Sequence, residues 1–179
     1  MSSKNRRYVP DMALHRDELE QLAQDRFAFL TREKGLTARP SEREAQWTTY
    51  YYTDPRAPIG IEIHLDFRDD MVWVYLLRLR DGELPPEGFV DVDRGERIAV
   101  SFLQLLKNIL QVEDEQLDRL SDMLYTPPSL AQPHDHRWAD EVLARWQDLV
   151  ERYIDLVELQ PVETLFPPPP PGASPARQA

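Results

Sequence analysis

The chain has 179 residues, of which 41% are hydrophobic and 30% charged, and this composition suits one folded domain with a buried core. It contains no cysteine, which excludes disulfides, thiolate metal sites and thiol nucleophiles. The formal net charge is −11, so the protein should repel nucleic acid and attract a basic protein partner. The basic N-terminus is not followed by an apolar stretch. We therefore expect no secretion signal, no membrane partner and a cytoplasmic location.

The first predicted element is a long helix over residues 11–34, preceded by a flexible basic arm at residues 1–10. Apolar side chains recur there at mostly helical spacing, at Met12, Leu19, Leu22, Ala23, Phe27 and Leu30. Gly35 follows, and a glycine suits the left-handed residue that ends many helices.

Three successive strands are predicted next, and they should form an antiparallel meander. They span residues 47–53, 59–67 and 71–80, and the second shows strict alternation of apolar and other residues. The Asp-Gly pair at 81–82 has the chemistry of a tight turn. Residues 89–92 are predicted to add a short edge strand.

Three helices are predicted after the strands. Asp93 and Glu96 have the spacing of a capping box, which predicts a helix up to Leu110 that should be the most buried of all. A shorter acidic helix carries leucines at helical spacing, a proline-containing loop follows at 126–134, and Asp135 can cap a last helix that ends before Pro161.

Strands grouped together with helices around them indicate an α+β fold. We expect an N-terminal helix, a three- to four-stranded antiparallel meander and three helices packed on the sheet, in one domain over residues 11–160. Residues 161–179 are predicted to be a disordered tail, because 167–171 are five consecutive prolines. The layout resembles that of small bacterial immunity proteins and secretion chaperones in architecture and size, although no motif carries the likeness.

A candidate binding face follows from the predicted hairpin. With a two-residue turn at Asp69 and Asp70, Asp66 lies beside Trp73 and His64 beside Tyr75, opposite the core side of the strands. With Glu62 these residues form a mixed aromatic and carboxylate face, which is typical of a protein-binding surface. Two alternatives stay open: the last helix covers this face, or a three-residue turn shifts the register and buries both aromatic side chains.

An acidic stretch supplies further candidate partner-binding residues. Residues 81–123 contain 11 acidic and 4 basic side chains, and Glu113, Asp114 and Glu115 are adjacent carboxylates that could steer a basic partner. The alternative is an ordinary solvated surface, and mimicry of nucleic-acid phosphates is a third interpretation.

The enzymatic alternative is a metal-dependent site. His64 and Asp66 share a strand face, and His134 and His136 lie together in a later segment. A zinc site needs three or four ligands, and the chain has no nucleophile elbow and no glycine-rich phosphate loop. We therefore expect no cofactor and no catalytic residue.

The sequence is best interpreted as a non-enzymatic protein-binding domain, an immunity- or antitoxin-type inhibitor of a basic partner. The alternatives are a small acidic secretion-type chaperone and a metal-dependent enzyme using the histidines above. Whether the chain forms a homodimer is left open.

Overall fold

The computed structural model describes residues 16–69, 71–86, 88–126 and 135–169. It has the expected α+β order of an N-terminal helix, an antiparallel sheet and further helices. The helices are α1 (Arg16–Arg32), α2 (Phe102–Gln104), α3 (Glu115–Tyr125), α4 (His136–Glu158) and α5 (Val162–Leu165), and a π-helical turn (Leu105–Ile109) continues α2. The strands are β1 (Thr37–Ala38), β2 (Glu42–Arg43), β3 (Trp47–Thr53), β4 (Ile59–Asp66), β5 (Met71–Arg78), β6 (Val90–Asp91), β7 (Glu96–Arg97) and β8 (Ala99–Ser101).

The main sheet is built on the predicted meander of β3, β4 and β5. Its strand order is β1-β3-β4-β5-β8, every neighbouring pair is antiparallel, and β2 pairs with β3 beside β1. The short strands β6 and β7 form a separate two-stranded ribbon. The edge strand predicted at 89–92 therefore exists in shortened form, but it pairs with β7 and not with the meander.

One face of the sheet, here called the inner face, packs against α1 and α4. Its central side chains are fully buried, and Trp146 of α4 donates a hydrogen bond from its indole Nε1 to the carbonyl of Val72 at 2.9 Å. The inner face carries Tyr50, Tyr52, Ile61, Ile63, Leu65, Val72, Val74 and Leu76. Burial of this large apolar area against two helices holds the fold together.

Helix α1 ends as the sequence predicts. Gly35 has a φ of +70°, a conformation that glycine adopts without a steric penalty. The amides of Lys34 and Leu36 donate to the carbonyls of Phe29 and Leu30, so the chain reverses with its backbone groups satisfied. Residues 1–15, which include the predicted basic arm, lie outside the described residues.

The turn after β5 also matches its prediction. Asp81 and Gly82 both have positive φ, of 53° and 75°, and Glu83 N–H donates to the carbonyl of Arg80 at 2.9 Å. This is a type I′ turn. A Cβ added at Gly82 would lie 2.6 Å from the Cα of Pro55, so glycine is required by space as well as by φ.

The β4–β5 register differs from the predicted one by two residues. Asp66 pairs with Met71, His64 with Trp73 and Glu62 with Tyr75, so four residues rather than two join the strands. The Asp66 carboxylate accepts the amides of Arg68 at 2.9 Å and Asp69 at 3.2 Å, which ends β4 earlier than alternation alone suggests. Because a shift of two keeps every side chain on its face, the predicted faces are right, and the three-residue alternative is wrong.

The helix predicted from the capping box at Asp93 and Glu96 begins too early. Glu96 lies in β7, and residues 99–101 form β8 against β5, so the helix starts only at Phe102. Ile98 and Val100 are β-branched and alternate with small residues, a pattern that suits a short strand. The hydrogen-bonding edge of β5 gives that strand its partner, and this tertiary contact outweighs the local helical spacing.

The last two long helices both begin at an aspartate cap, of which the sequence predicts only the one at Asp135. The Asp114 side chain accepts the amide of Gln116 at the start of α3, and Asp135 accepts the amide of Trp138 at the start of α4. Helix α4 ends at Glu158, before Pro161. Residues 127–134 lie outside the described residues.

The folded body extends further than the predicted boundary at residue 160. Residues 162–165 form α5, and Leu165 and Phe166 are 1% and 3% exposed within the main core. Residues 162–166 of the predicted tail therefore belong to the folded body, and residues 170–179 lie outside the described part of the chain. Within the described segments, every helix is too short or too polar to cross a bilayer.

Candidate functional site

The face of the sheet opposite α1 and α4, here called the outer face, carries the predicted binding residues. Strand pairing places Thr49, His64 and Trp73 in one row across the sheet. The next row holds Tyr51, Glu62, Tyr75 and Ser101. Strand register therefore brings together Glu62, His64, Trp73 and Tyr75, four of the eight residues predicted from the sequence.

An aromatic cluster extends over this face and beyond the sheet. The ring of Trp73 lies 6.4 Å from that of Tyr75 and 6.1 Å from that of Tyr125 at the end of α3, and Phe89 meets Tyr75 edge-on at 5.5 Å. Nearby on the same face, Trp47 stacks on His64 at 6.5 Å. Such offset and edge-to-face contacts are favourable and hold the rings in fixed orientations.

The cluster is exposed at two points. Trp47 is 39% exposed and Tyr125 60%, whereas Trp73 and Tyr75 between them are half-buried. An isolated exposed apolar side chain is ordinary on a protein surface, but exposed rings that adjoin one contiguous aromatic cluster are a candidate contact surface. The two exposed rings thus mark where another molecule could meet the outer face.

Glu62 lies at the centre of the outer face and is completely buried. Its Oε1 is 3.7 Å from Nδ1 of His64, too long for a hydrogen bond. The same Nδ1 lies 3.0 Å from the hydroxyl of Thr49, which is its hydrogen-bond partner. Glu62 and His64 therefore lie within ion-pairing distance, and the hydrogen bond of Nδ1 described here goes to Thr49.

The outer face is partly covered, but not by the last helix. Leu84 and Phe89 pack over one end of it, against Leu77, Leu79 and Ala99. Helix α4 packs on the inner face, where its buried side chains join those of β4 and β5 in the main core, so the alternative in which the last helix covers the outer face is wrong. That end of the outer face is covered instead by Leu84 and Phe89, in the segment that follows β5.

Asp66 has a structural role and is not beside Trp73. It lies at the end of β4 opposite Met71, its side chain is 13% exposed, and its carboxylate holds the turn amides described above. Arg68 also approaches it, at 3.6 Å. Its charge is therefore largely engaged within the turn.

The acidic trio at the start of α3 is separate from the aromatic cluster. Glu115 and Tyr125 are at opposite ends of this 11-residue helix, about 15 Å apart at a rise of 1.5 Å per residue. Asp114 accepts hydrogen bonds from Tyr153 Oη and Arg152 Nη1, both at 2.7 Å, while Glu113 is exposed and Glu115 pairs with Arg119. Only Glu113 and Glu115 present carboxylates to solvent.

The candidate metal ligands are not brought together. His64 is on the outer face, and His136 begins α4 on the helical side of the sheet, 3.8 Å from Glu18 of α1. Among the described residues no group of three potential ligands is placed to hold an ion, and His134 lies outside them. Ser101 ends β8, two strands away from His64, or about 10 Å at the usual strand spacing, so it cannot be activated by that histidine.

Three residues of the aromatic cluster were missed by the sequence analysis: Trp47, Phe89 and Tyr125. Trp47 has the same strand parity as Thr49 and Tyr51, which would have placed it on the outer face. Tyr125 lies outside the leucine stripe of α3, and nothing local indicates that it meets Trp73.

Comparison with known proteins finds no match to this chain among protein-family models, curated proteins or solved structures. The functional argument therefore rests on the site itself.

Proposed function

We propose that the protein is a non-enzymatic binding domain whose outer face engages a basic protein partner, in the manner of an immunity- or antitoxin-type inhibitor. The observation that carries the proposal is the aromatic cluster with its exposed ends at Trp47 and Tyr125, on the sheet face that α1 and α4 leave free. Tryptophan and tyrosine are the residues that most often dominate the energy of protein interfaces.

The two exposed rings are already held in place before any partner binds. Trp47 stacks on His64, and Tyr125 rests against Trp73, which in turn contacts Tyr75. Immobilising a side chain on binding costs free energy, and prior packing reduces that cost. The arrangement therefore favours a fixed recognition surface over an adaptable one.

The charge of the chain favours a basic partner. The net charge is −11, and the exposed carboxylates of Glu113 and Glu115 lie just before and at the start of α3, whose far end carries Tyr125. Complementary charge raises the rate of encounter more than the final affinity. The acidic surface would thus attract the partner, and the aromatic cluster would hold it.

The proposal is tested by affinity capture from a native lysate with matched variants. Trp47→Ala and Tyr125→Ala each remove one exposed ring, and Leu159→Ala serves as the control because Leu159 is 81% exposed at the end of α4. We expect the partner to be retained by the wild type and by the control, and lost or weakened at least about tenfold by the ring variants. Equal retention by all four proteins would refute the proposed face.

The electrostatic part is tested separately by surface plasmon resonance with the captured partner. Raising salt should slow association more than it speeds dissociation, because exposed charges are screened. Reversal of Glu113 and Glu115 to lysine should reproduce that slowing at low salt, and Trp47→Ala should speed dissociation instead. Asp114 is left unchanged, since it is bonded to α4. An association rate indifferent to salt and to the double reversal would exclude steering by these carboxylates.

A further inference from the structure

A cleft at the β3 edge of the sheet is lined by basic and tyrosine side chains. It lies between α1 and the edge of the sheet where β1 and β2 leave part of β3 uncovered, and its volume is about 390 Å³. That volume is within the range of small-molecule sites. Its lining residues are Gln24, Ala28, Thr31, Arg32, Ala38, Arg39, Ser41, Tyr50, Tyr51 and Tyr52.

The charged side chains that line the cleft are cationic, in a strongly acidic protein. Two arginines line it and no aspartate or glutamate does. Arg39 donates from Nε to Thr53 and from Nη2 to the carbonyl of Gly82, both at 3.0 Å, which are neutral acceptors that leave its charge uncompensated. Arg32 is exposed and makes no ion pair with any described residue.

The position of Arg32 in the last turn of α1 has an ordinary explanation, since cations stabilise helix C-termini.

The stronger observation concerns two tyrosines at the cleft. Tyr50 and Tyr52 are only 8% and 5% exposed, yet neither hydroxyl proton has an acceptor among the described residues. Tyr50 Oη accepts a bond from Gln24 Nε2 at 3.2 Å and keeps its own proton free, and Tyr52 Oη makes no hydrogen bond to the described chain.

Both tyrosines remain donors over the whole physiological pH range. Burial raises the pKa of Tyr50 above its usual value, and burial raises the pKa of Tyr52 to about 12. Neither hydroxyl oxygen is among the fully buried polar atoms that lack a partner in the described chain, so both open onto the cleft and can donate to a molecule bound there. Two such donors beside two guanidinium groups make a surface that can satisfy an anion.

We propose that this cleft binds a small organic carboxylate. A guanidinium recognises the planar carboxylate through paired hydrogen bonds, and the tyrosine hydroxyls can donate to the same group. Ala28, Ala38 and the tyrosine rings add apolar surface that suits an organic body and offers nothing to a free inorganic anion. The site differs from the proposed protein-binding face, because it lies at the β3 edge beside α1, and of the outer-face rings described above only Tyr51 lines it.

The test is an NMR titration of the full chain with benzoate, using benzamide as a neutral probe of the same shape. We expect benzoate to shift backbone amides around the cleft, such as those of Arg32, Ala38 and Ser41, in a saturable manner, and benzamide to leave them unchanged. Inorganic phosphate is titrated in parallel. Equal effects of benzoate and benzamide would overturn the proposal, as would shifts caused by phosphate but not by benzoate.

Variants locate the binding. Arg32→Gln should weaken benzoate binding about tenfold, because a charge-assisted bond is lost, and Tyr52→Phe should weaken it about threefold. Arg56→Gln is the matched control, since this arginine is 88% exposed in the loop between β3 and β4 and does not line the cleft. Circular dichroism melts of each variant establish that the fold is intact. Benzoate binding that persists in Arg32→Gln, or that falls equally in Arg56→Gln, would refute the assignment.

Discussion

At the scale of single residues, Asp114 is the clearest case of a side chain whose role differs from the one its sequence context suggests. Its carboxylate caps α3 through Gln116 and accepts hydrogen bonds from Tyr153 and Arg152 of α4. The hydrogen bond from Tyr153, more than any other favourable contact, holds the pKa of Asp114 below its usual value. One carboxylate therefore joins two helices, and it is not free to meet a partner.

Replacing Asp114 with alanine should lower the free energy of unfolding by about 1–2 kcal/mol, because a helix cap and a bond between helices are lost together. Glu113→Ala, at the exposed neighbouring position, should change it by less than about 0.5 kcal/mol. Urea denaturation at pH 7 measures both. An equal effect of the two substitutions would mean that the capping geometry contributes little.

The same carboxylate predicts a pH dependence with a definite sign. Since the pKa of Asp114 is lower in the folded state than in the unfolded chain, its stabilising effect is complete above the ordinary aspartate pKa of about 3.9. This stabilising effect is lost as the pH falls through the lowered pKa that Asp114 has in the folded state. The difference in unfolding free energy between wild type and Asp114→Ala should therefore narrow in acid, and a difference that stays constant down to pH 2 would contradict this.

At the scale of elements, a strand can be predicted from the sequence when its alternation of apolar and polar residues is long. The alternation in β4 runs through Ile59, Ile61, Ile63 and Leu65, which is long enough to assign both faces even though the register was two residues off. Strand β8 has only three residues, so its alternation could not be separated from the helical spacing that follows it. Its identity depends on β5, a partner that is distant in sequence.

The junction after β8 should be sensitive to loss of volume. Phe102 and Leu106 are fully buried, so Phe102→Ala should cost about 3–5 kcal/mol of unfolding free energy and Leu106→Ala about 2–5 kcal/mol. Gln104 lies between them and is exposed, and Gln104→Ala is the control with an expected change below about 0.5 kcal/mol. Chemical denaturation of the three variants provides the comparison. A loss of unfolding free energy below about 1 kcal/mol in Phe102→Ala would mean that neighbouring side chains move into the cavity left by the ring.

At the scale of the whole molecule, the sequence predicts the α+β class and the order of the main elements, because these depend on local periodicity. The candidate site was predictable only in part. Glu62, His64, Trp73 and Tyr75 share a face by strand parity alone, whereas the contact of Tyr125 with Trp73 joins α3 to β5 through tertiary packing. The cleft is a similar case, since its arginines and tyrosines come from α1, β3 and the segment between them.

The boundary of the folded body can be tested by truncation. A chain ending at residue 169 should melt within experimental error of the full chain, because the proline-rich residues it loses bring little apolar area to bury. A chain ending at Pro161 also loses the buried side chains of Leu165 and Phe166, and its melting temperature should fall by several degrees. Calorimetry compares the two. Equal melting temperatures would show that α5 adds nothing to stability.

The backbone pairing at the two edges of the sheet affects whether the protein can aggregate. On one side, β1 and β2 each pair with β3 over only two residues. On the other side, β8 pairs with residues 75–77 of β5, and Trp146 donates a hydrogen bond to the carbonyl of Val72. No long row of unpaired backbone groups is left among these strands to recruit a second chain into a fibril. Self-association by sheet extension is therefore disfavoured, and copies of this chain would have to meet through side chains.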